Sequence, residues 1–142
     1  RLPRKRYSAS AKAAIAPMLS VREGARAIEY YRQAFGAAVL FRIDSDTGAV
    51  VAQLAIGSAT FWLADESPEH FNFSPETLGG GTVRMILTVE DPDAVYARAM
   101  AAGAESIWPV RDEHGWRIGR LLDPFGHHWE IGKPQSNPDP GA

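Results

Sequence analysis

The order of hydrophobic and polar positions along the chain occurs twice. The two copies are residues 18–37, MLSVREGARAIEYYRQAFGA, and residues 86–104, ILTVEDPDAVYARAMAAGA. Each copy begins with an apolar stretch, passes a charged or turn-forming break, and continues into an Ala-rich amphipathic segment that ends in Gly-Ala. Because self-similarity of this kind indicates one supersecondary unit used repeatedly, the sequence predicts two copies of a single module.

The first copy predicts a strand, a helix and three further strands. Alternating apolar positions indicate the first strand at Ile15, Pro17, Leu19 and Val21. The helical spacing of the next apolar residues predicts a helix from about Gly24 to Phe35, with Gly36 as its left-handed C-terminal cap. The strand candidates that follow are AVLFRID, VVAQLAI and ATFWLAD, separated by the turn signals SDTG and GS.

The second copy repeats this order with clearer helix boundaries. Its first strand is indicated by alternation at Val83, Met85, Leu87 and Val89. Asp91 is a predicted N-cap with Pro92 in the first helical position, and Gly103 is expected to end the helix as Gly36 does. The strand candidates that complete the copy are ESIWPV, WRIGRLL and HHWEIG.

The two modules together define the expected fold and domain organisation. A single βαβββ unit buries too little apolar surface, so the two units must pair their sheets. We therefore expect an α+β fold in which two tandem βαβββ modules form a curved mixed-sheet cleft. The predicted boundaries are a basic disordered arm at 1–13, the first module at 14–66, a linker loop at 67–81, the second module at 82–133 and a disordered tail at 134–142.

Composition and charge exclude several classes of function. The 142 residues include no cysteine, which excludes thiolate zinc sites, iron–sulfur clusters, a cysteine nucleophile and disulfides. Five of the fifteen basic residues lie among the first twelve, so the rest of the chain carries ten basic against seventeen acidic side chains. Such an acidic body binds nucleic acid poorly, and no apolar run reaches the roughly 18 to 20 residues of a membrane span. We therefore expect a soluble, cytoplasmic protein with neither a nucleic-acid nor a membrane partner.

The segment DPFGHHWEIG, residues 123–132, contains two histidines and a glutamate within a few positions. Its first four residues predict a type I turn, because Pro occupies the second position and Gly the fourth. In the strand that follows, alternation places His128 and Glu130 on one face and His127 and Trp129 on the other. Imidazole and carboxylate groups are the usual protein ligands of divalent metals, so this pattern raises the question of half a metal site.

The paired modules resemble a known superfamily of proteins. The stretches SVREGARAIEYYRQAFGA, VEDPDAVYARAMAAGA and DPFGHHWEI are similar to the vicinal oxygen chelate superfamily, in its glyoxalase and bleomycin-resistance branch. The resemblance covers about residues 14–133. It implies the glyoxalase/bleomycin-resistance fold, a small-molecule ligand and a homodimer. It leaves the activity open, because the fold hosts isomerases, dioxygenases, epimerases, antibiotic-modifying enzymes and binding proteins.

The resemblance also implies four metal-ligand positions, one on each of four strands. In this sequence they fall at Ala16, at or beside Trp62, near Arg84 and at Glu130. Of these residues only Glu130 can coordinate a metal, and a divalent metal needs three or four nitrogen or oxygen ligands. We therefore expect no metal cofactor.

Strand parity on this fold predicts which side chains line the cleft. They are Ser20, Trp62, Arg84, Thr88, His128 and Glu130. An aromatic side chain among a few polar groups is typical of a small-molecule site. Trp62 has two interpretations, as a surface on which a ligand stacks or as part of the core or of a dimer interface.

The charged positions of the predicted cleft have alternatives as well. Arg84 and Glu130 either recognise the ligand or neutralise each other as a structural ion pair, because buried charges must pair. His128 either contacts the ligand or is exposed after the turn. Arg117 and Arg120 lie on opposite faces of the preceding strand, so at most one of them can bind an anionic ligand.

These patterns favour a metal-independent small-molecule binding protein of the glyoxalase/bleomycin-resistance type, with drug sequestration as one form of that function. The alternative is a glyoxalase-like lyase or isomerase. It would use either a metal held by His70, His114 or His128, or metal-free acid–base catalysis by His128 and Glu130. A third interpretation is an interaction module without a ligand, in which Trp62, Met18 and Ile86 fill the cleft.

Overall fold

The computed structural model describes residues 12–136. The predictions of a disordered basic arm and a disordered tail therefore fall largely on residues 1–11 and 137–142, which lie outside the described residues.

The described chain contains the strand–helix–strand order that the sequence predicts twice. The elements of the first module are β1 Met18–Val21, α1 Gly24–Phe35, β2 Ala38–Asp44, β3 Val50–Ile56 and β4 Ala59–Asp65. A 3₁₀ turn at Pro68–His70 and the short helix α2, Pro75–Leu78, lie in the connection between the modules. The elements of the second module are β5 Arg84–Thr88, α3 Pro92–Ala101, β6 Glu105–Glu113, β7 Trp116–Leu122 and β8 His128–Pro134.

Each module forms a four-stranded mixed sheet with the same topology. The strand orders are β1-β4-β3-β2 and β5-β8-β7-β6, so the first strand of each module lies at the edge next to the last strand. That pairing is parallel in both sheets, with Met18 opposite Trp62 and Arg84 opposite His128. The other pairings are antiparallel. The predicted α+β fold of two βαβββ modules is thereby confirmed.

Several boundaries differ from the predicted ones. Strand β1 begins at Met18 rather than Ile15, and the Ile15 side chain is almost fully exposed. Pairing with β4 begins where the Trp62 N–H donates to the Pro17 carbonyl over 2.8 Å. Pro17 has no N–H of its own to donate to β4, and residues 12–16 form no strand. Strand β8 continues to Pro134, two residues beyond the predicted HHWEIG.

The helix ends show which cap predictions hold. Gly36 caps α1 in the left-handed conformation, with φ of 66°, and the Asp91 side chain accepts from the Ala94 N–H at the start of α3. Helix α3 ends differently from α1, because its C-cap is Ala102 in the right-handed conformation. Gly103 comes one residue later with φ of 129°, where its N–H donates to the Met100 carbonyl.

Helix α1 is the centre of a core shared by both modules. Tyr31 is fully buried and contacts Phe61 of β4 and Trp129 of β8, with ring centroids 5.4 Å away in each case. Phe35, one helical turn later, packs on the same Trp129 ring at 4.7 Å. Because aromatic pairs contribute beyond the area they bury, this cluster fixes α1 against strands of both sheets. The prediction that Trp129 points toward the helices is confirmed.

The turn before β8 is held by one buried carboxylate. Asp123 is 3% exposed, and its Oδ1 accepts from the backbone N–H groups of Phe125 at 2.8 Å and His127 at 3.0 Å. Its Oδ2 accepts from Trp129 Nε1 at 2.9 Å and from the Tyr31 hydroxyl. These contacts join the turn to β8 and to the helix of the first module, and burial together with the Asp123 charge raises the pKa of Tyr31 well above its usual value.

We expect Asp123→Asn to lower the free energy of unfolding by about 2 to 4 kcal/mol, because one side of an amide donates and at least one buried donor loses its acceptor. Urea denaturation monitored by circular dichroism measures this difference. Asp46→Asn, in the exposed turn between β2 and β3, is the matched control and should change stability by less than about 0.5 kcal/mol. Equal stability of the two variants would contradict the role assigned to Asp123.

Candidate functional site

The second sheet has one face in the core and one open face. Leu121, Trp129 and Ile131 are buried against the helices. The open face has a row of side chains that crosses all four strands at paired positions: Ile86, Glu130, Arg120 and Trp108. Arg84 and His128, opposite each other on β5 and β8, lie one row further along. Strand alternation therefore collects two arginines, a histidine, a glutamate and apolar groups on one surface.

Arg84 and Glu130 form an ion pair on this open face. The Arg84 Nε donates to Glu130 Oε2. The Glu130 side chain is 15% exposed, whereas that of Arg84 is 52% exposed, so the guanidinium covers a largely buried carboxylate. Of the two interpretations that the sequence left open, the structure contains the ion pair. The terminal nitrogens of Arg84 remain available to a ligand, because only Nε is engaged by Glu130.

His128 is held by Arg120 and is neutral at physiological pH. The Arg120 Nε donates to His128 Nδ1 over 3.1 Å. An arginine nitrogen can only donate, so Nδ1 has its lone pair and the proton of the neutral ring is on Nε2. Burial, followed by the charge of Arg120, lowers the pKa of His128 below its usual value. With Nδ1 engaged by Arg120, the remaining polar group of the neutral ring is the Nε2–H, which is a donor.

A cavity of about 320 Å³ opens beside this cluster. Its lining residues are Ile86, Trp108, Glu113, His114, Trp116, Ile118 and Glu130. Arg111 lies over the Trp108 ring, 4.5 Å from the centroid, and pairs with Glu113 at 2.9 Å. The cavity therefore has aromatic walls and a rim whose carboxylates, Glu113 and Glu130, already have arginine partners. Trp108 and Trp116 were not among the residues predicted from the sequence to line the site.

The other three predicted site residues do not line this cavity. Ser20 lines a separate cavity beside β1, where its carbonyl accepts from His127 Nε2 at 2.9 Å. Thr88 lines an open cavity between β5 and the β3–β4 hairpin. Trp62 lies on the open face of the first sheet, against Phe41 with ring centroids 5.9 Å apart. The structure therefore brings Arg84, His128 and Glu130 together, with Thr88 on the same face one row beyond Ile86 and Glu130, whereas Ser20 and Trp62 belong to the first sheet.

The prediction about Arg117 and Arg120 can be compared directly with the structure. Arg117 lies on the helix side of β7, where it pairs with Asp93 of α3 and with Asp112 of β6, at 2.7 Å and 2.9 Å. Arg120 points to the open face and contacts His128. Only Arg120 is on the same surface as the cavity, as strand alternation requires.

The residues at the implied metal positions do not fit a divalent cation. Ala16 and Trp62 have no suitable donor atom, and Arg84 places a positive charge beside the remaining carboxylate. In residues 12–136 no group of three or more histidine, aspartate or glutamate side chains could hold a metal ion. His70 and His114 are both largely exposed, and each lies beside a single glutamate.

Comparison with known families identifies the chain. The sequence model of the Glyoxalase/Bleomycin resistance protein/Dioxygenase superfamily matches residues 14–131. The chain belongs to this superfamily, and the resemblance inferred from the sequence is confirmed. An uncharacterized protein of Mycobacterium bovis is 40% identical over 126 residues, which cover 85% of this chain and 83% of that protein. An uncharacterized protein of Mycobacterium tuberculosis shares the same identity over 126 residues, which cover 85% of this chain and 74% of that protein.

Solved structures share the fold. TioX from Micromonospora sp. ML1 has a TM-score of 0.65 at 24% identity and covers 89% of this chain and 100% of its own. A gene product of Arabidopsis thaliana has a TM-score of 0.66 at 26% identity, with coverage of 86% and 99%. The fosfomycin resistance protein FosX from Listeria monocytogenes has a TM-score of 0.67 at 14% identity, with coverage of 87% and 94%. The likeness to TioX and FosX shows the architecture alone. None of the helices in residues 12–136 is both long and apolar enough to cross a membrane.

We expect the pKa of His128 to lie below its usual value of about 6.5 and to rise in Arg120→Gln, because that variant loses a neighbouring cation while the ring stays partly buried. NMR titration of the imidazole resonances measures both values. Arg111→Gln, which removes an arginine paired with Glu113 instead, should leave the titration unchanged. The same His128 pKa in the wild type, Arg120→Gln and Arg111→Gln would contradict the contact between Arg120 and His128.

The lowered pKa of His128 predicts how the stability of the protein depends on pH. The unfolded chain binds the proton of His128 more readily than the folded chain, so the free energy of unfolding should fall as the pH drops below about 6.5. His128→Gln should remove this part of the acid sensitivity. Urea denaturation across the acidic range measures the difference, and an identical pH dependence in the two proteins would contradict it.

Proposed function

We propose that this chain is a metal-independent small-molecule binding protein of the glyoxalase/bleomycin-resistance type. The observation that supports it best is the cavity with Trp108 and Trp116 in its walls, beside a charged cluster on the open face of the second sheet. Ligand sites are concave, mostly apolar, and contain a few placed polar groups. A volume of about 320 Å³ is at the lower end of the range for small-molecule sites and suits a planar ring system.

The state of the polar groups supports binding over catalysis. Metal-free acid–base catalysis would need a free base among His128 and Glu130. Glu130 accepts from Arg84, and the His128 lone pair at Nδ1 accepts from Arg120. His128 therefore has no free lone pair, and Arg84 occupies one oxygen of the Glu130 carboxylate.

The exposed apolar residues favour binding over the ligand-free interaction module. That interpretation needs Met18 and Ile86 to fill the cleft, yet they are 53% and 62% exposed. Ile86 instead forms one wall of the open cavity. Superfamily membership makes drug sequestration one form of the proposed function, in which binding at a fixed stoichiometry removes the free compound.

The proposal includes a homodimer. Strand β2 exposes a row of apolar side chains, namely Val39, Leu40, Phe41 and Ile43. Contiguous exposed apolar surface of this kind marks an interaction site. Sedimentation equilibrium at micromolar concentration should give twice the mass of the chain, and a monomer under those conditions would contradict the homodimer. The cytoplasmic location stays a prediction from the sequence.

We expect titration calorimetry with Ni²⁺, Zn²⁺, Co²⁺ and Mn²⁺ to show no tight binding of one ion per subunit, because the only carboxylate at an implied ligand position is paired with Arg84. The matched variant is Glu130→Ala. Tight stoichiometric binding in the wild type that disappears in Glu130→Ala would contradict the metal-independent proposal.

We expect a neutral aromatic probe, phenylnaphthylamine, to bind with enhanced fluorescence in the presence of a chelator. Trp116→Ala should weaken its binding about tenfold, because truncating a buried aromatic contact removes roughly 1.5 kcal/mol or more. Phe71→Ala removes an aromatic ring that is 84% exposed in the connection between modules, and it should leave binding unchanged. Loss of binding on addition of chelator would contradict the proposal, and so would equal binding by Trp116→Ala.

A further inference from the structure

We propose that the ligand of the Trp108–Trp116 cavity is an aromatic molecule with one anionic group, such as a carboxylate or sulfonate. The anion would bind the terminal guanidinium nitrogens of Arg84 and Arg120 and the Nε2–H of His128. This inference rests on the proposed function, since it names the ligand class of the same site. We call these three residues the donor cluster.

The first support is the charge of the open face. The donor cluster contains two guanidinium charges and a neutral imidazole. The carboxylate paired with the cluster is that of Glu130, which binds Arg84. Glu113, the other carboxylate of the cavity, is neutralised by Arg111. Asp123 lies in the core, where neutral donors surround it. The arginines of this surface, Arg84, Arg111 and Arg120, therefore outnumber its carboxylates, Glu113 and Glu130, by one.

The second support is the hydrogen-bonding capacity that is left over. Arg120 uses Nε on His128, and Arg84 uses Nε on Glu130. Among residues 12–136, no carboxylate lies within ion-pair distance of Arg120. The remaining guanidinium N–H groups and the imidazole Nε2–H can only donate. A surface that offers several donors, and whose nearest carboxylate is already paired with an arginine, selects an anionic group over a cationic one.

The third support is position. Arg84, His128 and Arg120 lie on three adjacent strands, β5, β8 and β7, so their side chains are cross-strand neighbours. Glu130 links the cavity to the donor cluster, since it lines the cavity and its carboxylate pairs with Arg84. Arg120 is the cross-strand neighbour of Trp108 and Glu130, which line the cavity. Arg84 and His128 lie one row, about 7 Å along a strand, beyond Glu130 on the side away from Trp116. A substituent on the edge of a ring that contacts Trp108 therefore meets Arg120 first, with His128 and Arg84 one row further on.

The fourth support is preorganisation. The contact with His128 fixes Arg120 before any ligand arrives, and the contact with Glu130 does the same for Arg84. Binding therefore orders few additional side-chain torsions, which favours the affinity of an anion at this position. A neutral imidazole as the partner of Arg120 leaves its full charge available, whereas a carboxylate would neutralise it.

The test compares two probes that share one ring skeleton and differ in charge. Anilinonaphthalene sulfonate has a single negative charge, and phenylnaphthylamine lacks it. We expect the sulfonate to bind the wild-type protein about tenfold more tightly, and Arg120→Gln to remove most of that difference while leaving the neutral probe within about twofold, as loss of a charge-assisted contact requires. Arg120→Gln leaves no carboxylate unpaired, because its partner is neutral.

Two further variants define where the probe binds. Arg42→Gln removes an exposed arginine of β2 that pairs with Asp44, and it should leave both probes unaffected. Arg84→Gln should weaken the sulfonate as Arg120→Gln does, and circular dichroism checks that each variant is folded. Added salt should weaken the sulfonate more than the neutral probe.

The possible outcomes distinguish a wrong ligand class from a wrong function. If both probes bind equally and Arg120→Gln changes neither, the anionic ligand class is wrong while the binding function stands. If neither probe binds the wild-type protein, the proposed function fails together with this inference. If the sulfonate binds but is insensitive to Arg120→Gln and to Trp116→Ala, it occupies another surface, and the inference is also overturned.

Discussion

The buried carboxylate of Asp123 is the constraint on which the arrangement of the second sheet depends. A carboxylate taken out of water costs several kcal/mol unless its lone pairs are satisfied. Here four donors satisfy them: two backbone N–H groups of its own turn, the Trp129 indole and the Tyr31 hydroxyl. Tyr31 belongs to the first module and Trp129 to the second, so one side chain fixes the turn, the start of β8 and its position against α1.

The open face follows from that anchoring. Once the Trp129 indole is held in the core, strand alternation places His128 and Glu130 on the opposite face of β8. Glu130 is largely buried by its neighbours and would be costly as an isolated charge, and Arg84 of the adjacent strand neutralises it. No carboxylate of residues 12–136 lies within ion-pair distance of Arg120, which contacts His128 instead. The surface therefore has a fixed excess of one cation where an implied metal position would otherwise lie.

Much of the fold could be predicted because its signals are local. The strands Ala38–Asp44, Val50–Ile56 and Ala59–Asp65 and the helix Gly24–Phe35 match the segments inferred from periodicity and turn residues. The start of β1 could not be predicted from alternation, which continues to Ile15, because the chain leaves β4 at Pro17, which has no N–H to donate. The alternation of side chains along β5 and β8 was enough to predict that Arg84, His128 and Glu130 share one surface.

The aromatic walls of the cavity depend on information that is not local. Trp108 reaches the open face opposite Arg120, but the register of β6 against β7 shifts on both sides of that pair. Each such irregularity reverses or displaces the face that simple alternation assigns. Trp116 shares the open face with Arg120, which alternation along β7 could have shown, but its place in the cavity depends on how the β6–β7 hairpin closes. The separation of Trp62 from Arg84 likewise depends on how the two sheets are arranged, which alternation within a strand does not determine.

The measurement that tests this account most directly is a crystal structure of the protein soaked with anilinonaphthalene sulfonate in a chelator-containing buffer. The account predicts the naphthalene ring between Trp108 and Trp116, the sulfonate within hydrogen-bond distance of Arg120, and the Arg84–Glu130 pair intact. A sulfonate that avoids both arginines would contradict it. So would a metal ion bound to Glu130, with Arg84 turned away, in crystals grown with divalent cations instead of chelator.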